Sequence, residues 1–327
     1  MPIFLPTAAN LDRCAALLRE GGLVGLPTET VYGLGANACN PDAVKKIFSV
    51  KGRPLLDPLI VHVATLKQAD ELGELSPVAK RLADHYWPGP LTLVVPKKSC
   101  VSDLITAGLP SVAIRIPGQT DFLGVLKRVD FPIAAPSANP FGYVSPTTAK
   151  HVEAQLGSQI DAILDAGPTT HGLESTILDL RNADSIHILR PGPITAEHLT
   201  AAGFTIDEKT TQENGNDSCV APGLLSQHYS PHTPLTLFSR LDALPDQIDS
   251  ETAAIVFLAK PDLSKCLSDH QYWLSENGDL STIAQNLFAL IRKLDVLELN
   301  HIYIQTPECI GLGKAINDRL QRAAAKR

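Results

Sequence analysis

Residues 111–136, SVAIRIPGQTDFLGVLKRVDFPIAAP, contain two short apolar runs separated by a mixed segment. The runs VAIRIP (112–117) and FPIAAP (131–136) are rich in aliphatic residues and end at Gly or Pro, which is typical of buried strands. We expect helical segments between such strands. Alternation of this kind predicts an α/β domain.

The same pattern extends over residues 1–205, which we predict to be one domain. Further runs of this kind are GLVGLP (22–27), DPLIVHV (57–63), LTLVVP (91–96), STILDL (175–180) and IHILRP (186–191). Helices are expected at Asn40-Pro41, Ser76-Pro77 and Ser145-Pro146, because each pair places a capping residue before a proline at the first helical position.

The composition changes after residue 205. Residues 206–219 are polar and favour an exposed linker, and APGLLSQHYSPHTP (221–234) reads as an extended segment. In a smaller unit, 235–327, we predict strands at LTLF, AAIVFLA and HIYIQ, a helix near LSTIAQNLFALIRKL, and a closing helix from about Gly313 to Lys326. This order favours a parallel, Rossmann-like sheet.

The composition is that of a soluble globular protein, with 44% hydrophobic and 19% charged residues among 327. No apolar run reaches the roughly 18 residues of a membrane span, and the N-terminus lacks a secretory pattern. The six cysteines are scattered, so we expect reduced thiols and no metal site formed by protein ligands alone. We therefore expect no membrane role and a cytoplasmic protein.

The charge distribution bears on nucleic-acid binding. The net charge is −7; residues 1–205 carry 17 basic and 19 acidic side chains, and residues 206–327 carry 11 and 16. Neither part has the basic excess of a protein held mainly by phosphates.

General nucleotide and hydrolase motifs are missing from this chain. There is no GxxxxGK[ST] loop, no GxGxxG after a strand, no HExxH and no GxSxG. The GLGKA at 311–315 is interpreted as a helix start bounded by glycine rather than a phosphate-binding loop.

Two polar clusters follow strands or helices in the first half of the domain. In PTETVYGLG (27–35), a strand is followed by small hydroxyls, a carboxylate and three flexible positions on a turn. The hydroxyls could bind an amino acid or phosphate, or simply cap their own turn. In KGRPLLDPLIVH (51–62), Lys51 and Arg53 are either a phosphate clamp or a surface pair. His62 lies in an apolar run, where a satisfied core histidine is the ordinary case.

Two more clusters follow later strands. Arg115 interrupts an apolar strand and needs a partner, either an internal carboxylate or a ligand carboxylate. In APSANPFGYVSPT (135–147), hydroxyls and a helix start could bind an anion, although a turn at Asn139 and a helix cap at Ser145 also explain them. Arg190 is another cation at a strand end.

Taken in order, these segments resemble one known family. PTETVYGLG, KGRP…DPLIVHV, WPGPLTLVV, VAIRIPG, APSAN…VSPT, ESTILDL and ILRPGPI are similar to the YrdC-like threonylcarbamoyl-adenylate synthases. HYSPHTPL and GLGKAINDRLQRAA resemble the longer, two-domain branch. The resemblance implies a twisted, open α/β sheet around a large cavity, a linker or lid over 206–234, and a smaller Rossmann-like α/β domain.

The resemblance also implies a reaction. L-threonine, bicarbonate and ATP, carried with Mg²⁺, give threonylcarbamoyl-adenylate and pyrophosphate. Separate transferase proteins then move the threonylcarbamoyl group to the adenosine next to the anticodon of certain tRNAs. Direct contact of the chain with tRNA is a further expectation to be tested.

The resemblance assigns residues to each substrate. The threonine group comprises Thr30, His62, Arg115, Ala135 and Ser175, with Arg115 pairing the amino-acid carboxylate. The ATP group comprises Lys51, Arg53, Asp57, Ser111, Ser137, Asn139, Ser145, Arg190 and Tyr229. Lys51 and Arg53 are the candidate catalytic residues.

Asp57 departs from the family, which often has Asn there. A carboxylate near a triphosphate is either turned away or holds a magnesium ion. No covalent nucleophile is needed, because aligning two anions and stabilising charge suffices for a carbamate to attack the α-phosphorus.

Two other readings of the chain differ in kind. The protein could be an RNA-binding module that reads RNA shape, although its acidic charge and few aromatic residues argue against this. Alternatively, the second domain could serve only regulation or scaffolding.

Overall fold

The computed structural model describes residues 1–182, 185–207, 220–223, 228–245, 248–249, 251–261 and 269–325. The predicted linker therefore lies largely outside the described residues, as does Lys326 at the end of the predicted closing helix. No helix in these ranges is both long and apolar enough to cross a membrane.

The strands in these ranges belong to two sheets. They are Ile3–Phe4 (β1), Val24–Leu26 (β2), Gly33–Asn37 (β3), Ile60–His62 (β4), Leu91–Pro96 (β5), Ser111–Arg115 (β6), Ile133–Ala134 (β7), Ala162–Leu164 (β8), Thr176–Asp179 (β9), His187–Arg190 (β10), Leu235–Phe238 (β11), Ala253–Ala259 (β12), His270–Ser275 (β13) and His301–Gln305 (β14).

The helices pack around these sheets. They are Ala8–Arg19 (α1), Pro41–Lys51 (α2), Leu66–Leu72 (α3), Pro77–Tyr86 (α4), Asp103–Thr106 (α5), Thr120–Leu126 (α6), Ala149–Leu156 (α7), Ala196–Ala201 (α8), Leu280–Asp295 (α9) and Leu312–Ala324 (α10), with short 3-10 helices at Gly157–Gln159 and Leu241–Ala243.

The first sheet is a mixed, 10-stranded sheet in the order β1-β8-β2-β3-β7-β4-β6-β5-β9-β10. In its centre β4 pairs with β6 in parallel and with β7 in antiparallel fashion. All seven strands predicted for this domain are present. This sheet confirms the predicted α/β class.

The second sheet has the order β11-β14-β12-β13, and each neighbouring pair is parallel. This arrangement confirms the predicted Rossmann-like unit. Strand β13 was not predicted. Its sequence, HQYWLS, alternates weakly and is only half-buried at four of six positions.

Local capping explains two predicted helix starts. Asn40 accepts hydrogen bonds from the backbone N–H groups of Asp42 and Ala43, and Ser76 accepts one from Ala79. At the other end of α2, Gly52 adopts a left-handed φ of 61° and ends the helix directly after Lys51.

Two expectations about local structure were wrong. The helix expected at Ser145-Pro146 begins at Ala149 with Thr148 as its cap, because the Ser145 hydroxyl is used in a tertiary hydrogen bond. The glycines of PTETVYGLG form strand β3 instead of a flexible turn. A Cβ at Gly35 would lie 2.5 Å from Leu26 Cδ1, so this strand position has no space for a side chain.

The two domains share a continuous interface. Val144 and Leu173 of the first domain lie in one apolar cluster with Leu287 and Phe288 of α9. The Tyr143 hydroxyl donates to Asp295 Oδ2 at 2.6 Å. The second domain therefore packs against the segment that follows β7.

Candidate functional site

A cavity opens where the strands at the centre of the first sheet end. Nine predicted site residues line it: Thr30, Arg53, His62, Arg115, Ala135, Ser137, Ser175, Arg190 and Tyr229. All five residues predicted for threonine lie in this set. The sheet thus brings together residues that are up to 199 positions apart in the chain.

Strand register creates one end of the cavity. We call it the threonine end (Thr30, His62, Arg115 and Ala135), because the resemblance assigns these residues to threonine. His62 lies opposite Arg115 on parallel strands and opposite Ile133 on the antiparallel neighbour. Ala135 directly follows β7. Three neighbouring strands therefore deliver these groups to one place.

Arg115 is buried and fully oriented. Its Nε donates to the Gly89 carbonyl at 3.1 Å and its Nη1 donates to Thr30 Oγ1 at 3.0 Å. Its Nη2 lies 2.7 Å from Glu29 Oε1. Burial favours a raised pKa for Glu29, but the charge of Arg115 and the hydrogen bond from the Gly118 N–H together outweigh it, so the pKa of Glu29 is lowered and the pair is ionic.

The contact with Glu29 corrects the expectation that a ligand carboxylate is the partner of Arg115. The partner that Arg115 requires is an internal carboxylate, so a bound amino acid is not needed to supply it. Sequence reasoning noted the carboxylate in PTETVYGLG but gave it no role, because the two residues are 86 positions apart. A guanidinium has five N–H donors: Nε and Nη1 each use one in a hydrogen bond, and Nη2 meets Glu29 as an ion pair, which leaves an N–H on each terminal nitrogen for a ligand.

His62 contributes a neutral ring to this end. Burial, and then the charge of Arg115, lower its pKa to about 3. Its Nδ1 has no hydrogen-bond partner within the described residues. His62 can therefore exchange hydrogen bonds with a ligand without adding positive charge.

The other end of the cavity, the nucleotide end (Arg53, Ser137, Arg190 and Tyr229), carries two buried arginines. Arg53 Nε donates to Asp57 O at 3.1 Å, and Arg53 Nη2 donates to Pro58 O at 2.7 Å. Arg190 donates from Nε to Ser175 O and from Nη2 to Ser175 Oγ, each at 3.1 Å. Both guanidinium groups are held rigidly.

Lys51 lies behind the wall of the cavity. Its Nζ donates to the carbonyls of Ser137 and Asn139, each at 2.5 Å. Burial, and then the charge of Arg53, place its pKa well below the usual range. In this structure Lys51 supports the turn that carries Ser137 and does not line the cavity itself.

Asp57 is buried beside Arg53. Its Oδ1 lies 3.0 Å from Arg53 Nη2, while Oδ2 has no partner within the described residues. Burial raises its pKa despite the neighbouring cations. The carboxylate is thus neither exposed nor fully paired.

The remaining predicted ATP residues lie outside the lining. Asn139 Nδ2 donates to the carbonyls of Pro140 and Tyr143 at 2.8 and 2.9 Å and stabilises a turn. The Ser145 hydroxyl donates to Glu174 Oε1 at 2.5 Å. Ser111 starts β6 on the same face as Ala113 and Arg115. Ala113 packs in one apolar cluster with Val220 and Ala221.

Residues 222–223 and 228–229 close the nucleotide end. The Pro222 carbonyl accepts a hydrogen bond from Arg190 Nη1 at 3.0 Å. A Cβ on Gly223 would lie 2.8 Å from the Tyr229 hydroxyl, so only glycine fits there. Tyr229 itself is buried at φ 65°, and its hydroxyl has no partner within the described residues. His228, which sequence reasoning left without a role, also lines the cavity.

Two family models together match most of the chain. The Sua5/YciO/YrdC family model, described as telomere recombination, matches residues 16–192. The model described as the C-terminal domain of threonylcarbamoyl-AMP synthase matches residues 194–325. The chain belongs to the threonylcarbamoyl-AMP synthase family. The resemblance recognised in the sequence, including its two-domain branch, is confirmed.

Individual relatives cover nearly the whole chain. The threonylcarbamoyl-AMP synthase of Bacillus subtilis is 40% identical over 97% of this chain and 94% of its own length. The Pyrococcus abyssi enzyme is 37% identical over 96% and 93%. Sua5 of P. abyssi complexed with L-threonine has a TM-score of 0.88 and 35% identity, over 99% of this chain and 98% of that one.

A histidine- and tyrosine-to-alanine double variant of P. abyssi Sua5 has a TM-score of 0.89 at 34% identity. These matches confirm the fold and the enzyme family. The division of the chain at residues 205 and 234 stays a prediction, as does the role of each site residue.

Proposed function

We propose that this chain joins L-threonine, bicarbonate and ATP into threonylcarbamoyl-adenylate and releases pyrophosphate. One observation carries the proposal. A single cavity has an oriented arginine, a hydroxyl and a neutral imidazole at one end, and two buried arginines at the other. The first set suits an amino acid and the second suits phosphates.

At the threonine end, the two remaining donors of Arg115 bind the carboxylate of L-threonine. Glu29 fixes the plane of the guanidinium, so the arginine need not reorganise when substrate binds. Thr30 and His62 offer groups for the polar substituents, and Ser175 and the Ala135 backbone complete the set.

At the nucleotide end, Arg53 and Arg190 bind the phosphates. Nη1 of Arg53 makes no hydrogen bond within the described residues, so it is available to ATP. Ser137 and Tyr229 lie beside it, and Lys51 and Asn139 support the turn around Ser137. Ser111 and Ser145, which lie outside the cavity lining, stay candidates for ATP contacts.

Mg²⁺ enters with ATP and lowers the charge of the triphosphate. Asp57 Oδ2 is a buried oxygen without a partner among the described residues, and carboxylate oxygens suit this ion. Asp57 would hold the ion from the protein side.

The chemistry needs alignment more than a nucleophile. The amine nitrogen of threonine bonds to the carbon of carbon dioxide and loses a proton to water, or bonds to the carbon of bicarbonate while a C–O bond breaks and water leaves; either route gives a carbamate. A carbamate oxygen then bonds to the α-phosphorus, the bond from this phosphorus to the bridging oxygen breaks, and pyrophosphate leaves. The cavity holds the two anions in line and places arginines where charge develops.

The product explains the further partners that we propose. A mixed anhydride of a carbamate and AMP is an activated group. Transferase proteins would pass its threonylcarbamoyl moiety to the adenosine next to the anticodon of tRNA, in the cytoplasm. Direct contact of this chain with tRNA is a separate part of the proposal.

Pyrophosphate release from ATP and Mg²⁺ tests the function, with L-threonine and bicarbonate each present or omitted. We expect release only when both are present. ATP binding without such release, together with salt-sensitive RNA binding, would contradict the synthase and support the RNA-binding alternative.

A further inference from the structure

One arginine of the last helix of the second domain contacts the wall of the cavity. Arg319 of α10 has no exposed surface. Its Nε donates to Glu174 Oε2 at 2.7 Å, and its Nη2 donates to the Pro191 carbonyl at 3.0 Å. Its Nη1 lies 2.5 Å from Asp318 Oδ2. This side chain therefore joins the second domain to a residue that lines the nucleotide end.

Glu174 has both oxygens engaged. Oε1 accepts from Ser145 and Oε2 accepts from Arg319. Burial favours a raised pKa, but Arg319, Arg190 and these hydrogen bonds outweigh it, so the pKa of Glu174 is lowered. The cavity wall thus carries a carboxylate that remains ionised.

An ionised Glu174 next to the phosphate site is a problem for ATP binding. Arg190 donates hydrogen bonds to Ser175, the residue after Glu174. The Glu174 carboxylate therefore lies close to the Arg190 guanidinium. Without a second cation, Glu174 would offset the charge of Arg190 and repel phosphate. Arg319 supplies that second cation from the side away from solvent.

The neighbouring charges on α10 leave this balance intact. Asp318 lies next to Arg319, but it also pairs with Arg322, whose Nη2 is 2.9 Å from Asp318 Oδ1. Arg322 therefore balances Asp318. The charge of Arg319 stays available to Glu174.

The same arginine also packs on the strained tyrosine. The Arg319 guanidinium lies 5.4 Å from the centroid of the Tyr229 ring, a cation–π contact. Phe288 of α9 stacks with the same ring at 5.4 Å. A non-glycine residue at φ 65° persists only where its surroundings hold it, and here two residues of the second domain do so.

We propose that Arg319 is a positioning residue for the nucleotide end: it neutralises Glu174, which leaves Arg190 available to phosphate, and it holds Tyr229 in place. This inference rests on the proposed function. It gives the second domain a direct part in ATP binding and contradicts a role in scaffolding alone.

The test compares full-length variants with the matched control Lys314→Met, which breaks an exposed ion pair between the same helix and Glu197 and should leave both KM values unchanged. Pyrophosphate release is measured with ATP varied and then with L-threonine varied, and ATP binding is measured without threonine. For Arg319→Met we expect KM for ATP and the dissociation constant for ATP to rise on the order of tenfold or more, with KM for threonine unchanged. Arg319→Lys should recover part of the loss.

The double variant Glu174→Gln/Arg319→Met separates charge balance from a structural role. Removing the uncompensated carboxylate should bring ATP binding back towards that of the parent. An equal rise of both KM values, or no rescue in the double variant, would overturn the inference. A parent protein that binds ATP but releases no pyrophosphate with threonine and bicarbonate would instead reject the proposed function.

Discussion

The threonine end and the nucleotide end of the cavity differ in the parts of the chain that build them. Thr30, His62, Arg115 and Ala135 all lie in or beside central strands of the first sheet. The nucleotide end also needs Tyr229, which lies in the predicted linker, and Arg319 from the second domain. The threonine end is therefore complete within the first domain, whereas the nucleotide end also needs residues of the linker and of the second domain.

This difference has a physical reason. Parallel and antiparallel register fixes His62 beside Arg115 without help from any later element. The cations at the nucleotide end must be kept apart from a buried carboxylate, and the strained Tyr229 must be held. Both tasks require contacts from outside the sheet.

The largest effect is expected at the threonine end. Arg115→Met should lower kcat/KM for threonine roughly a hundredfold to a thousandfold, since a buried, charged anchor is lost. It should also lower the free energy of unfolding by about 3–5 kcal/mol, because Glu29 is left buried and unpaired. Kinetics and urea unfolding measure the two effects.

Glu29→Gln/Arg115→Met is the matched control for this variant. The double variant should regain most of the lost free energy of unfolding, but its kcat/KM for threonine should stay as low as in Arg115→Met. If threonine use returned with stability, Arg115 would be structural only.

Lys51→Ala should lower kcat about a hundredfold, because the turn that carries Ser137 loses both hydrogen bonds from Nζ and a small misplacement of a positioning group has an effect of this size. Lys45→Ala, on the same helix but exposed and paired only with Asp42, should leave the rate of pyrophosphate release unchanged. An unaltered rate in Lys51→Ala would contradict a catalytic role for this lysine.

Phe288→Leu should affect only the nucleotide end. Loss of the ring that stacks on Tyr229 should raise KM for ATP roughly threefold to tenfold, the value of a stacked aromatic pair. KM for threonine should not change. Phe257→Leu removes a buried ring in a separate cluster of the same domain, beside Phe238, and should alter neither KM. Equal effects of the two variants would contradict a specific link from Phe288 to ATP.

A smaller effect concerns pH and the neutral His62. Its pKa of about 3 in the folded chain lies below the ordinary 6.5, so the unfolded chain binds the extra proton between these values. Stability is fully present above pH 6.5 and is lost as pH falls towards 3. From pH 7 to pH 5, His62 should account for roughly 2 kcal/mol of lost unfolding free energy.

Urea unfolding of His62→Gln at both pH values tests this, with His85→Gln as an exposed control. The His62 variant should lose less stability on acidification than the parent, although His151 and His228, whose pKa values are also lowered by burial, keep part of the dependence. A pH dependence equal to that of the parent would show that His62 is not buried in neutral form.

Sequence reasoning succeeded where structure is local. Apolar runs predicted the strands, and the caps at Asn40 and Ser76 predicted helix starts, because each depends on residues within one turn. It failed at Ser145, where a carboxylate 29 positions away competes for the hydroxyl. Gly35 was mistaken for a flexible turn, since the crowding from Leu26 appears only once the strands pair.

The prediction of the site shows the same difference between local and long-range features. The family resemblance named nine residues that line the cavity, yet Glu29 and Glu174 were left without roles. Their partners, Arg115 and Arg319, are 86 and 145 positions away. Single-sequence patterns carry no information about such pairs. Only the folded chain shows that each buried carboxylate has its own arginine.

The most direct measurement is mass spectrometry of the reaction with ¹³C-labelled bicarbonate, L-threonine and ATP. We expect a product that contains threonine, one labelled carbon and AMP, formed together with pyrophosphate. AMP or ADP without the labelled carbon, or nucleotide turnover that does not depend on threonine, would contradict a cavity built to join these three substrates.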